Sequence, residues 1–184
     1  MSPFPHLADP LTDGGVILRD YLERDIPEIL IAYQDDPRLH LLTGEDRPPS
    51  GAELGSQAEG EASARAAGTR ATLSILEPGS DTFRGQLRVL EVDWDHARAG
   101  LAIWLAPQAR GRRLGRRALR LAGEWLLGVC RLVRVEMLAE PGNLPLIRAA
   151  EAAGFAREGI LRHYHRKRAA RIDAIVLSMI QSDL

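Results

Sequence analysis

The chain has 184 residues, 45% of them apolar and 27% charged, with a formal net charge of −1. This length fits one domain, because chains usually divide only beyond about 250 residues; we therefore expect a single domain over 1–184, with residues 1–13 as a flexible N-terminal extension. The lone cysteine, Cys130, excludes an internal disulfide and a multi-cysteine metal site, and we predict no metal. Because the chain lacks an apolar run of about 18 residues and a signal peptide, we expect a cytoplasmic protein that does not enter a membrane.

The small net charge conceals an uneven distribution along the chain. Residues 1–83 hold 15 acidic side chains against 6 arginines, a balance of −9. Residues 84–184 hold 18 basic side chains against 10 acidic ones, a balance of +8. Such asymmetry indicates that different parts of one fold face differently charged partners.

The first half predicts elements in the order β α α β β β. Residues 16–19 predict a short strand, and Asp25 can cap a helix that begins near Ile26. Residues 35–51 are typical of a broken acidic loop, and 52–67 predict a second helix. Three strands with short connections follow, most simply antiparallel, at 71–76, 85–92 and 100–105.

The second half predicts the order α β α β β. Apolar residues recur at helical spacing from Leu114 to Gly128, and Asn143 caps a helix that Gly154 ends. Strands are predicted at 132–138, 157–166 and 172–180. Together these elements indicate an α/β (α+β) domain with a mixed, mostly antiparallel sheet of about six to seven strands, flanked by about four helices.

The segment between strand 100–105 and the helix at Leu114 points most directly to a function. Gly111 and Gly115 let the backbone approach a ligand closely. Residues 108–134 contain eight arginines and one glutamate, a balance of +7. A helix N-terminus with unpaired N–H groups suits an anion such as a pyrophosphate. The spacing excludes a Walker A loop and lacks the three glycines of a dinucleotide fingerprint, so it predicts another phosphate-bearing ligand.

This segment resembles the acetyl-coenzyme-A signature of the GNAT superfamily of N-acetyltransferases, the Gln/Arg-x-x-Gly-x-Gly/Ala motif, at Gln108–Arg113. Its surroundings look most like the Rim-type branch, which acetylates N-terminal amines of ribosomal proteins, and its relatives that modify small amines. The other matching pieces are Ala102–Pro107, Asn143, Glu151–Phe155 and Glu158–Arg162. The resemblance covers roughly residues 14 to 180 and implies the GNAT fold.

The resemblance implies acetyl-CoA as co-substrate and a primary amine as acceptor, either a protein N-terminus or a small amine. Residues up to Leu105 would offer backbone groups to the pantetheine arm, the following turn would wrap the pyrophosphate, and Asn143 would bond the pantetheine or order its turn. The implied cofactor-binding residues are Trp104, Leu105, Ala106, Gln108, Arg110, Gly111, Arg112, Arg113, Leu114, Gly115, Arg116 and Asn143.

Three positions depart from the family pattern. Arg113 replaces the second glycine or alanine of the motif, so the loop must tolerate a side chain there. Leu146 stands where the Rim-type branch often has a serine near the departing sulfur, and Ala150 stands where other members place a tyrosine general acid. The departing thiolate therefore has no obvious proton donor on this helix.

Four residues are candidates for catalysis. His165 and Tyr164 lie on the return strand, where the Rim-type branch has an acidic base near the position of His165, and an imidazole can accept a proton near neutral pH. His163 and His165 should share a face of this strand, opposite Tyr164. Glu91 and Asp93, after the third strand, would face the acceptor cleft in the family.

The acidic first half gains a role under this resemblance. In the GNAT fold the first two helices border the acceptor side, so acidic residues there would attract a cationic amine; a solvated helix face is the alternative. The residues expected near the amine are Glu45, Asp46, Glu53, Glu59 and Glu61.

Purely structural explanations and other functional classes also fit parts of the pattern. The arginine cluster can be a solvated basic face, and Trp104 can be plain core. Leu146 and Ala150 favour a non-catalytic acyl-CoA-binding module as the alternative function. A nucleic-acid binder is disfavoured because the cluster has no interleaved aromatic residues, so no nucleic-acid partner is expected. Homodimers are common in the resembling branch, and the residues do not decide the oligomeric state.

Overall fold

The computed structural model describes residues 4–5, 7, 9–167 and 170–184. These residues form eight strands: β1 (Leu11–Thr12), β2 (Ile17–Asp20), β3 (Ala71–Glu77), β4 (Thr82–Asp93), β5 (Arg98–Leu105), β6 (Arg134–Ala139), β7 (Ala156–Lys167) and β8 (Ala170–Ile180). They also form five α-helices: α1 (Ile26–Asp35), α2 (Leu39–Leu42), α3 (Gly51–Ala66), α4 (Leu114–Glu124) and α5 (Leu144–Ala153).

The eight strands make one sheet in the order β1-β2-β3-β4-β5-β6-β8-β7. Neighbouring strands are antiparallel except β5 and β6, which are parallel because α4 carries the chain back to the same end of the sheet. The expected mixed α/β sheet is confirmed, but the described residues have eight strands instead of six to seven, and five helices instead of four. The additional β1 and α2 have only two and four residues, too few to leave a periodic pattern in the sequence.

Side chains of the sheet alternate between two apolar layers. One face, which includes Leu73, Val89 and Leu101, packs against buried residues of α4 and α5 and forms the larger core. The opposite face, which includes Trp104, packs against α1, α2 and α3, and Tyr33 of α1 belongs to this second layer. Each fully buried leucine contributes about 1.5–3 kcal/mol, so these layers supply most of the stabilisation of the fold.

The N-terminal segment differs from the flexible extension that we expected. Phe4 is buried between Trp94 and Trp125, with ring centroids 5.2 and 5.9 Å away. Leu11–Thr12 pairs with β2 at the edge of the sheet. Burial of an aromatic side chain and strand pairing together hold this part of the segment in place. Residues 1–3, 6 and 8 lie outside the described part of the chain.

Asp25 precedes α1, as expected, but its side chain does not cap the helix. The carboxylate accepts hydrogen bonds from Arg19 at 2.6 and 2.9 Å and from the hydroxyl of Ser74 at 2.6 Å. Asp25 is 3% exposed, and a buried carboxylate is stable only when paired and hydrogen-bonded. The ion pair therefore outcompetes the cap, and it ties β2 and β3 to the start of α1.

The helices of the described chain are short. The longest, α3, has 16 residues, and no described helix is both long and apolar enough to cross a membrane. After Glu124 the expected α-helix up to Gly128 widens into a π-helical turn from Trp125 to Val129.

Candidate active site

The two parallel strands separate at one end of the sheet. Arg98–Gly100 of β5 pairs with Arg134–Glu136 of β6. Within the described chain, Leu101–Leu105 of β5 pairs only with β4, and Met137–Ala139 of β6 pairs only with β8. Both strands therefore present unpaired backbone groups to the gap between them. The gap opens towards the carboxyl ends of both strands.

The turn after β5 brings backbone N–H groups to the mouth of this gap. Gly111 has a φ of +74°, and Arg113, the residue before α4, adopts the left-handed conformation with a φ of +63°. No side chain caps this helix, so the N–H groups of its first turn remain available to a ligand. A Cβ on Gly115 would lie 3.4 Å from Cδ1 of Leu105, so the glycine lets α4 begin close to the end of β5.

Part of the polar turn is tied to acidic residues of neighbouring elements. The pairs are Arg110–Asp36 at 2.7 Å, Arg112–Glu77 and Gln108–Asp35. Arg110 Nε also donates to the carbonyl of Leu105 at 3.1 Å. Burial raises the pKa of Asp36, but the hydrogen bonds from Arg110 and the backbone outweigh it and leave the pKa below its ordinary value. These contacts hold the loop against α1 and β3.

The remaining arginines gather around a pocket of about 450 Å³ between the start of α4 and the end of α5. The four arginines of its lining are Arg113, Arg116, Arg117 and Arg120. Arg117 pairs with Asp13 at 2.9 Å, and Arg120 pairs with Glu124 at 2.7 Å. Arg113 and Arg116 have no acidic partner within 4.0 Å among the described residues. The pocket carries an excess of positive charge beside a helix N-terminus, which suits a phosphate group.

The side chain of Trp104 belongs to the core. It is 8% exposed and packs against Tyr33 and Phe83, with ring centroids 6.0 and 5.6 Å away. Its indole N–H donates to Gln86 at 3.4 Å. Ala106 is buried as well. At these two positions the main chain, and not the side chain, is therefore what a ligand in the gap can contact.

Asn143 stands at the turn between β6 and α5, where the sequence placed it. Its Oδ1 accepts a hydrogen bond from the backbone N–H of Leu146 at 3.3 Å, so it caps α5, and Gly154 ends the helix with a φ of +106°. The Asn143 amide nitrogen has no partner among the described residues. That amide can therefore donate to a ligand while the oxygen maintains the cap.

A cleft of about 360 Å³ lies at the carboxyl end of β6, between the α2 segment and the end of the β7–β8 hairpin. Six of its lining residues are His40, Glu45, Asp46, Asn143, Leu146 and His165. Lys167 Nζ lies 2.9 Å from both carboxylate oxygens of Glu140 and so ties the hairpin to the turn after β6. The cleft brings together two predicted site residues, Asn143 and His165.

Glu91 and Asp93 do not line this cleft. Glu91 is exposed on a bulge of β4, with a φ of +50°, and its Oε2 is 3.6 Å from the position of a Cβ on Gly100, where β5 and β6 begin to separate. Asp93 accepts hydrogen bonds from His96 at 2.9 and 3.0 Å and from Arg98 at 3.3 Å. The backbone hydrogen bond of His96 is the main cause that lowers the pKa of Asp93, which is thus occupied within its turn.

The expected alternation on the return strand fails at a bulge. Leu161 pairs with Ala174 and His165 with Ile172, so β7 carries two extra residues here and His163 takes a φ of +55°. Tyr164 is 47% exposed, packs edge-on against His165 at 5.2 Å, and does not line the cleft. Of His163, Tyr164 and His165, only His165 therefore lines the cleft.

Two residues on this side of the sheet were not identified from the sequence. His40 of α2 lines the cleft, and its Nδ1 is buried without a partner among the described residues. The other, Arg88, lies on β4. Glu45, which was expected near the amine, accepts a hydrogen bond from the Tyr33 hydroxyl at 3.1 Å. Residues 35–51 lack a periodic pattern, so no signal in the sequence could place His40 opposite the β7–β8 hairpin.

The acidic residues of the first half are more dispersed than expected. Glu45 and Asp46 line the cleft, but Glu53 closes a capping box at the start of α3, and Glu59 and Glu61 line a separate groove of about 440 Å³. Helix capping, hydrogen bonds and ion pairs thus engage most of these carboxylates. No three His, Cys, Asp or Glu side chains of the described residues converge as a metal site.

Comparison with known proteins places this geometry among acetyltransferases. A curated relative, the uncharacterized N-acetyltransferase p20 of Bacillus licheniformis, is 24% identical over 110 residues; the match covers 60% of this chain and 62% of the relative's length. RimJ of Mycobacterium smegmatis in complex with CoA-disulfide is 24% identical with a TM-score of 0.80, covering 96% of this chain and 88% of that one.

Spermidine N-acetyltransferase of Vibrio cholerae in complex with CoA and spermine is 17% identical with a TM-score of 0.78, covering 93% of this chain and 98% of that one. At these identities the two structures show a shared fold. The model of the acetyltransferase (GNAT) domain family matches residues 16–156, which are most of the sequence. The resemblance to the GNAT superfamily is thereby confirmed. The chain belongs to the GNAT acetyltransferase family.

Proposed function

We propose that the protein is an acetyl-CoA-dependent N-acetyltransferase that transfers an acetyl group to a primary amine. One observation carries the proposal: parallel β5 and β6 separate at the same end at which an arginine-rich turn presents the free N–H groups of α4. The gap suits an extended amide-containing chain, and the turn suits the pyrophosphate to which that chain is attached. A pantetheine arm joined to a pyrophosphate has this form.

The residues of the gap fit acetyl-CoA in the order of its parts. The unpaired edge of Leu101–Leu105 can bond the pantetheine amides, and the Asn143 amide can donate from the opposite side. The first turn of α4, after Arg113, faces the pyrophosphate, and Arg116 has no acidic partner among the described residues. In this assignment the residues of the motif bind acetyl-CoA mainly through their backbone groups.

The reaction needs a base on the acceptor side. The amine nitrogen attacks the thioester carbonyl carbon, the carbon–sulfur bond breaks, the amine loses a proton and the CoA thiolate gains one. His165 lies in the cleft beside Asn143 and is the base that we propose, with His40 facing it from α2. Glu45 and Asp46 of the same cleft attract the cationic amine.

The departing thiolate lacks an evident protonating side chain. Ala150 is completely buried and Leu146 is apolar, so α5 supplies no acid at these two positions. Tyr164 does not line the cleft, so we propose that water protonates the thiolate or that the thiolate leaves unaided. The same two residues favour the second candidate function, an acyl-CoA-binding module that turns over slowly or not at all.

The test combines binding and turnover. Acetyl-CoA and CoA should raise the melting temperature, whereas a single-stranded oligonucleotide at equal charge should not. Thiol release should then appear with members of a panel of peptide N-termini and small primary amines. Stabilisation by CoA without thiol release from any amine would favour the binding module, and no stabilisation even at millimolar CoA would overturn both functions.

A further inference from the structure

The sheet face under α1 and α2 has a trough beside the gap. On this face β5 presents Gly100, Ala102 and Trp104, since alternate residues of a strand share a face. Ala102 extends no further than Cβ and so leaves space on this face between β4 and the diverging β6, whereas the Leu90 side chain covers Gly100, its Cδ1 lying 3.0 Å from the position of a Cβ there. Across the gap, Leu138 of β6 lines the cleft that holds His165.

Arg88 forms the wall of this trough on β4. It is directly opposite Ala102 in the β4–β5 register, so its side chain lies on the same face, next to a residue too small to cover it. The residue is half-buried, and its Nε is fully buried without a hydrogen-bond partner. Among the described residues no carboxylate lies within 4.0 Å of its guanidinium.

The two other arginines with a buried, unpartnered Nε differ from Arg88 because they have acidic partners. Arg19 and Arg65 also bury Nε without a partner, but their terminal nitrogens bond to Asp25 and Asp20 at 2.6 and 2.5 Å. A partly buried guanidinium without a counter-charge is costly, because the desolvation is not offset by pairing. Arg88 bears that cost in the free protein, so a bound anion would be favoured there.

The surroundings of Arg88 connect it to the acceptor cleft. Burial raises the pKa of Tyr33 to about 12 and Glu45 adds to that rise, while the nearby charge of Arg88 acts in the opposite direction. The Tyr33 hydroxyl bonds to Glu45, which lines the cleft. Tyr33 is thus a neighbour of both residues, and one molecule with its cationic amine near Glu45 and an anion on Arg88 would engage both.

We infer that Arg88 binds a carboxylate of the acceptor, and hence that the acceptor is a primary amine that also carries a carboxylate. A planar guanidinium recognises a carboxylate through paired N–H···O bonds, which few other side chains can match. The carboxylate can be the α-carboxylate of a free amino acid or an acidic side chain beside a peptide N-terminus. This inference rests on the proposed acetyltransferase function.

The test compares acceptors that differ only in the carboxylate. One arm uses free amino acids against their amides, and the other uses peptides whose second residue is Asp against the same peptides with Asn. In at least one arm the wild-type kcat/KM should be about 10- to 100-fold higher for the acid, since a hydrogen bond to a charged group contributes about 1.5–3 kcal/mol. Arg88→Gln should remove this preference, and Arg88→Lys should keep part of it.

Arg24→Gln is the matched control, since Arg24 is exposed and pairs only at the surface with Asp81. It should leave the preference for the acid unchanged. Equal turnover of acids and amides by the wild type would overturn the inference while leaving the acetyltransferase function in place. Absence of thiol release with every amine would instead overturn the function. Equal turnover by the wild type overturns the inference even if one Arg88 variant folds poorly, and the other variant then assigns the preference to Arg88.

Discussion

In the proposed function, individual residues of the site combine a structural task with a ligand-binding one. Arg113 is held in the left-handed conformation at a φ of +63°, which costs a non-glycine residue about 1–2 kcal/mol. The family motif has glycine or alanine there, and the chain accepts an arginine because this side chain lines the basic pocket instead of entering the gap. Asn143 similarly has two tasks: its Oδ1 caps α5, and its amide nitrogen is available to a ligand.

Substitutions of Asn143 separate its two tasks. Asn143→Ala loses the cap of α5 and should lower the free energy of unfolding by about 1 kcal/mol. Asn143→Asp keeps an acceptor for the Leu146 N–H, and its charge suits a helix N-terminus, so stability should be unchanged or slightly higher. Both variants lose the amide donor, so both should raise the KM for acetyl-CoA. Urea unfolding and steady-state kinetics measure the two effects, and an unaltered KM in Asn143→Asp would show that the residue is only a cap.

Glu158 gives the fold a defined dependence on pH. Its carboxylate accepts from Arg134 at 2.7 and 2.6 Å and from the Ser178 hydroxyl at 2.6 Å, and these hydrogen bonds, first of all that of Arg134, lower its pKa to about 2. A carboxyl whose pKa is lower in the folded state stabilises the fold above its ordinary pKa. That stabilisation is lost as the pH falls from about 4.5 towards 2.

Glu158→Gln should therefore destabilise the protein at pH 7 by about 1 kcal/mol, the upper range for a pair as exposed as this one. The difference from the wild type should shrink steadily below pH 4.5. Urea denaturation between pH 7 and pH 3 measures it. If the difference were the same at both ends of this range, the Arg134 pair would not be the cause.

At the scale of elements, the site depends on how closely β4 approaches the end of β5. Gly85 lies at a register shift of the β3–β4 pair and is buried opposite Leu105. A Cβ there would overlap the carbonyl oxygen of Trp104 and lie 2.9 Å from the Cα of Leu105. The glycine thus fixes the position of the last residue before the turn that we propose binds the pyrophosphate.

Gly85→Ala should cost about 2–4 kcal/mol of unfolding free energy, because the overlapping atoms belong to the backbone and cannot rotate away. Since the displaced strand carries the turn with it, the KM for acetyl-CoA should rise as well. Gly55→Ala is the control, because its new Cβ would meet open space on helix α3 and should stabilise by up to about 1 kcal/mol. Thermal unfolding of both variants tests the pair; equal melting temperatures would contradict the close approach.

For the whole molecule, the acidic first half and the basic second half meet at the end of the sheet where we propose that the cofactor binds. Ion pairs between the first half and the segment around the turn are Asp13–Arg117, Asp36–Arg110 and Glu77–Arg112. They offset part of the positive charge of the turn and pocket, and Arg113 and Arg116 remain without such partners in the described chain. The net charge of −1 is thus an average over a basic cofactor end and a cleft lined by Glu45 and Asp46.

Binding of CoA should consequently weaken with salt. Raising the ionic strength from about 0.1 to 1 M shortens the screening length from about 10 to 3 Å, so the Kd for CoA should rise about tenfold or more. Calorimetric titration measures this, with S-acetylpantetheine as the control because it lacks the phosphates. The same salt dependence for both ligands would show that the arginines do not contact the phosphates.

The sequence by itself determined the elements that depend on neighbouring residues. Helical spacing, the Asn143 cap and the Gly154 terminus located α4 and α5, and the glycine and arginine pattern marked the turn after β5, because local conformational preference decides these features. Prediction from the sequence was wrong where non-local contacts prevail. These contacts are the burial of Phe4, the ion pair that Asp25 forms instead of capping α1, and the pairing with β8 that creates the bulge around Tyr164.

Only the tertiary structure decided which chemical groups meet. The divergence of β5 from β6, the placement of α2 opposite the β7–β8 hairpin, and the pairing of three arginines with acids all join residues far apart in the chain. The cleft that His40 and His165 line, and the lack of an acidic partner for Arg88, likewise depend on residues far apart in the chain. Strand register and helix packing bring such groups together through the burial of apolar side chains in the two layers, and no local pattern records that outcome.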